Sequence, residues 1–173
     1  MSLIQDLKLR RANRYDSAFE KLSLCDDNVK NYKDKEAQEF IGRAINCLKN
    51  VTCKSFTSTD KSTEYCKYIQ IDKEDKESFL EKIIDDIRYS QEICIEYALK
   101  ETKKEIMDSY ISNTLELVNK KQVQKYLDAV KTLVQLDKIR KINEMEEVLN
   151  EIRKDLSSCI DYNDKIQKAE NEK

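Results

Sequence analysis

Residues 142–166 read INEMEEVLNEIRKDLSSCIDYNDKI, and apolar side chains recur in them at alternating spacings of three and four. Ile142, Leu149, Leu156 and Asn163 take one seam position, and Met145, Ile152, Cys159 and Ile166 take the other. A strand would alternate with period two. This repeat instead belongs to a helix that packs coiled-coil fashion against another helix. Asn163 is the polar member of the seam: buried, it fixes register or oligomeric state; in a frayed C-terminal end it meets water.

Reading outward, Val123, Leu127, Val130 and Val134 form an earlier stripe whose phase slips by one residue before Ile142. The slip predicts a kink or loop near Asp137–Lys141, and Asn119–Gln122 is the predicted turn before the stripe. From Lys73 to about Asn119 no residue stops a helix, and Leu80, Ile84, Ile87, Ile95, Ala98, Ile106, Tyr110 and Leu117 keep helical phase. One helix of ~45 residues measures ~68 Å, whereas a compact chain of this length spans only ~40 Å. An elongated molecule follows. Asp72, after Tyr68–Ile71, is the predicted cap of this helix.

Two shorter helices precede it. The first is expected from Ser2, its N-cap, to about Leu24, with Leu7, Ala18, Leu22 and Cys25 near one face. The polar run DDNVKNYKD, 26–34, reads as a connection. The second spans about Lys35 to Asn50, with the stripe Ala37, Phe40, Ile41, Ala44, Ile45 and Leu48. After it comes CLKNVTCKSFTSTDKSTEYC, Cys47 to Cys66, rich in Ser and Thr and holding three of the six cysteines. It reads as a surface connector at about 50–64 anchored by Val51 and Phe56, with Cys47 closing the apolar face of the second helix.

Composition agrees with helices. The 173 residues include one glycine, Gly42, and no proline, and hairpin turns between strands depend on residues that tolerate positive φ. Formal charge is −2, too weak a field to imply nucleic acid. No stretch approaches the ~18 apolar residues of a membrane span. The N-terminus lacks a secretory apolar core. A cytoplasmic, intracellular protein with reduced thiols is the expectation.

Several chemistries are excluded by what is missing. The chain has no histidine, which removes Ser-His-Asp and Cys-His nucleophile arrangements, Glu-x-x-His di-iron sites and imidazole zinc sites. One glycine cannot form a phosphate-cradling loop. Cys25, Cys47, Cys53 and Cys66 lack the short paired spacing of structural zinc ligands. Cys94 and Cys159 read as small core hydrophobes. No cofactor is implied.

Two candidate sites remain. Glu74-x-x-Glu77 and Glu105-x-x-Asp108 resemble the acidic Mg²⁺ signature of all-α nucleotide pyrophosphohydrolases of the MazG type. The resemblance implies metal ligation by Glu74, Glu77, Glu105 and Asp108, and requires the chain to fold back near Lys100–Glu105. Lys8, Arg10, Arg11 and Arg14 form a basic cluster that would meet a nucleic acid phosphate or an acidic surface.

The expected architecture is therefore all-α: an elongated antiparallel bundle of about four helices, two of them long, in a single domain over 1–173. The expected function is a non-enzymatic interaction, scaffold or regulatory protein. It would bind a protein partner, or a second copy as a homodimer, through Ile142, Met145, Leu149, Ile152, Leu156, Asn163 and Ile166. A Mg²⁺-dependent nucleotide hydrolase and an anionic-ligand binder are the alternatives.

Overall fold

The computed structural model describes residues 2–52, 76–113 and 120–172. They form four helices, α1 (Leu3–Tyr32), α2 (Lys35–Thr52), α3 (Lys76–Asn113) and α4 (Lys120–Asn171), and no strand among the described residues. The expected elongated helical bundle is the observed one. At ~1.5 Å per residue, the 52-residue α4 runs ~78 Å.

Helix α1 begins as expected with a capping box: Ser2 Oγ accepts from the Gln5 amide, and Gln5 Oε1 accepts from the Ser2 amide, both at 3.2 Å. It does not end near Leu24. The run read as a connection is helical to Tyr32, because Cys25 and Val29 extend the buried stripe of Ala18 and Leu22 through it. The turn into α2 is only Lys33 and Asp34. Lys33 adopts the left-handed conformation, φ 53°, and donates its N–H to the Val29 carbonyl at 3.0 Å. Asp34 then caps α2 by accepting from the Ala37 amide at 3.0 Å.

The long hairpin of α3 and α4 keeps one antiparallel register along its length. Bidentate pairs join Arg153 to Glu81 (3.1 and 3.2 Å) and Arg88 to Glu146 (3.0 and 3.4 Å). Farther along, Lys138 meets Glu96 at 3.2 Å and Tyr126 stacks on Tyr110. Exposed pairs of this kind are worth ~0–1 kcal/mol each, so they mark register more than they supply stability.

Helices α1 and α2 cover the lower part of this hairpin. α1 lies antiparallel to the second half of α4: Lys8 meets Glu170, Arg11 meets Asn163, and Lys21 meets Asp155. α2 lies antiparallel to the first half of α3, where the buried Ser90 hydroxyl donates to the Ala37 carbonyl at 3.0 Å. The shared core holds Leu22, Val29, Ile41, Leu48, Ile84, Ile87, Leu149 and Ile152. Full burial of one such side chain is worth roughly 1.5–3 kcal/mol.

The kink or loop expected near Asp137–Lys141 is absent: α4 is one helix from Lys120 to Asn171. The predicted turn at Asn119–Gln122 is corrected too, since Lys120, Lys121 and Gln122 are already helical. Val130, Val134, Asp137, Lys141 and Met145 follow one another at helical spacing on the inward side, and two polar members interrupt the apolar pattern without interrupting the helix. The connector expected from about residue 50 starts later, since α2 continues through Thr52; the rest of it, with Cys53, Phe56, Cys66, the cap Asp72 and Glu74, lies outside the described residues.

Candidate interaction surface

The seam assigned to a partner faces inward. Met145, Leu149, Ile152, Leu156, Cys159 and Ile166 are buried against this chain's own helices, and Ile142 is half-buried beside them. Asn163 is buried rather than frayed: its Oδ1 accepts from Arg11 Nη1 at 2.8 Å and its Nδ2 donates to the Tyr15 hydroxyl at 3.4 Å. The neighbouring Asp155 is 3% exposed and accepts from Lys21 at 2.8 Å and Arg14 at 3.2 Å. Burial alone would raise its pKa, but hydrogen bonds from Lys21, Ser17 and Arg14 outweigh burial and hold the carboxyl below the ordinary aspartate value. These contacts specify how α1 seats on α4.

The same contacts occupy the N-terminal basic cluster. Arg11 and Arg14 are joined to Asn163 and Asp155, Arg10 pairs with Asp6 at 3.1 Å, and Lys8 lies 3.7 Å from Glu170. All four cations are engaged within the chain.

Glu77 is not brought to Glu105 and Asp108. α3 is unbroken from Lys76 to Asn113, so there is no fold-back near Lys100–Glu105. Glu77 in its first turn and Glu105 are 28 positions apart, ~42 Å along one axis, and Glu105 and Asp108 are exposed. No group of acidic or thiol side chains among the described residues is placed to hold a metal ion. Two of the buried thiols are equally quiet. Burial pushes Cys25 up to about 12 and Cys94 up to about 11, leaving almost no nucleophilic thiolate at neutral pH. Cys25, Cys47, Cys94 and Cys159 form no disulfide with one another.

What the chain does present is the far end of the α3/α4 hairpin. α1 stops where Tyr32 stacks on Tyr97, ring centroids 6.0 Å apart, and the Asp34 carboxylate beside the same tyrosine raises its pKa. Beyond that level the remaining ~16 residues of α3, 98–113, project ~24 Å with the first part of α4 as a two-helix arm. Its interior is thin. Leu99 and Val130 are buried, Ile106, Val123 and Val134 are half-buried, and the Tyr126 hydroxyl donates to the Ile106 carbonyl at 2.8 Å.

On the outer side of α4, away from Val123, Val130 and Val134, stand Leu133, Leu136 and Ile139, at 54%, 59% and 57% exposure. None of the described helices covers them. Residues 120–141 of α4 also hold seven basic and two acidic side chains, net +5, whereas residues 142–171 hold four and eight, net −4. Two clefts open at the root of the arm. One, of about 460 Å³, lies between α1, α3 and α4 beside Tyr32, Ala98 and Lys141. The other, of about 730 Å³, lies on the α2 side beside Phe40, Tyr89 and Tyr97.

Sequence reading missed this surface, although both of its signals were present. Leu133, Leu136 and Ile139 are out of phase with the inward stripe. The positive segment disappears when charge is summed over residues 72–173, where it is averaged with the acidic remainder. Among the described residues no helix is long and apolar enough to cross a membrane. Compared with protein-family models, curated proteins and solved structures, the chain matches none.

Proposed function

We propose that this is a non-enzymatic interaction protein: a helical body that holds out the α3/α4 arm for a macromolecular partner. One observation carries the reading. Three large aliphatic side chains stand more than half exposed on consecutive turns of a projecting helix, and clustered apolar exposure marks interaction surfaces rather than ordinary solvated ones. The body supplies the rigidity. Its polar core groups are matched, with no buried side-chain nitrogen or oxygen left without a partner among the described residues. The seam helix serves as structural support, and the contacts fall on its outer, N-terminal half.

The test places a photo-crosslinking amino acid at Leu133, Leu136 or Ile139 of the full chain, in cells that naturally express it. A discrete adduct is expected at these positions and not at Glu147, an exposed α4 position on the body. Absence of an adduct at all three arm positions, or the same adducts at Glu147, refutes the reading.

A further inference from the structure

Resting on that reading, we infer that the arm's partner is an acidic amphipathic helix of another protein, which packs across Leu133, Leu136 and Ile139. Shape supplies the first argument. These residues follow at i, i+3 and i+6 and form a single i±3 ridge on α4. Such a ridge packs into the i±4 groove of a second helix at a crossing angle of about 20°. The ridge is ~9 Å long. That length matches the contact zone of two crossing helices, whereas an interfacial helix lying on a lipid surface needs an apolar face continued over several turns.

Charge supplies the second. The ridge runs through the net +5 half of α4, with Lys125 exposed on the same side about two turns before Leu133 and Arg140 at its root. Arg140 is shared with Asp137 at 2.7 Å and Glu144 at 3.3 Å, so Lys125 is the cation on this side most open to a partner's carboxylates. Two arms brought together would each carry this positive charge, which opposes a second copy docking arm to arm. A helix with a Leu/Ile stripe flanked by Glu or Asp satisfies both the ridge and the field.

The probe is a stapled synthetic helix with a Leu/Ile stripe flanked by Glu, titrated against the full chain by fluorescence anisotropy. Its Lys-flanked counterpart and vesicles containing phosphatidylserine are run in parallel. The Glu-flanked helix is expected to bind about tenfold or more tightly than the Lys-flanked one, to weaken with salt, to lose about tenfold in affinity on Leu136→Asp and to lose part of that on Lys125→Glu. Circular dichroism confirms that each variant is folded. Equal binding of the two helices overturns the inference. So does vesicle binding without peptide binding, or self-association abolished by Leu136→Asp. Failure here together with crosslinked adducts on the arm removes only the acidic helix; failure of both removes the arm as an interaction surface.

Discussion

Two leucines of the same helix, thirteen positions apart, should respond to the same substitution in opposite ways. Leu149 is 1% exposed and Leu136 is 59% exposed. Leu149→Ala removes three buried carbons, ~2.4 kcal/mol at ~0.8 kcal/mol per methylene, and the residual cavity raises the total into a range of ~2.7–5 kcal/mol. Leu149 lines the cleft between α1, α3 and α4, so its neighbours have room to relax, and the lower end, ~3 kcal/mol, is expected. For a chain of this size that lowers the Tm by ~6–12 °C. Leu136→Ala deletes side-chain surface that is already in water and places a better helix former in its position, so it should change stability by no more than ~0.5 kcal/mol. Urea unfolding followed by far-UV circular dichroism reads both, with the midpoint shifting at constant m. A Leu136→Ala loss as large as that of Leu149→Ala would refute the reasoning, because the outer ridge would then be part of the folded core. So would a Leu149→Ala cost below ~1 kcal/mol, because the seam would then lie at the surface.

Asp155→Asn should cost ~2–3 kcal/mol. Removing one partner of a buried pair costs ~3–5 kcal/mol, reduced here because Lys21 and Arg14 can reach water. Since the folded carboxyl sits below its ordinary value, its contribution is complete above about pH 4, the unfolded value, and is lost as pH falls through the folded one. The variant's acid limb should therefore be flatter than wild type, and a parallel limb would contradict the assignment. Gly42→Ala should stabilise by ~0.5–1 kcal/mol, because Gly42 lies inside α2 and an added Cβ would meet nothing within 4 Å. A thermal scan showing no rise in Tm would count against it.

The parts of the fold legible in sequence were those where apolar spacing was uninterrupted. In the α2 stripe Ala37, Ile41, Ala44 and Leu48 are buried, with Phe40 and Ile45 half-buried at its edge, and the seam from Met145 to Ile166 is buried as its periodicity requires. Legibility failed where tertiary packing carried polar residues along. In 26–34, charged side chains surround Val29, and only the packing of Cys25, Val29 and Tyr32 on α3 and α4 keeps the last turns of α1 helical. At Asp137 and Lys141 polar residues hold inward positions, so a continuous helix resembled a change of phase. The seam shows a different limit: spacing identifies a packed face but not whether the chain itself or a second molecule packs it. Here α1 fills it, through contacts such as Arg11 to Asn163 that no local pattern encodes.

The seating of α1 on α4 also sets the order in which the protein can be completed during synthesis. Lys21 and its acceptor Asp155 are 134 positions apart. A ribosome adding ~5–20 residues per second makes the acceptor roughly 7–27 s after the donor. Through that interval the apolar side of α1 can find only α2 and then α3. The early half of this protein therefore waits, partly uncovered, for the late half. The step that closes the body is the arrival of α4's last turns rather than the formation of any helix in isolation.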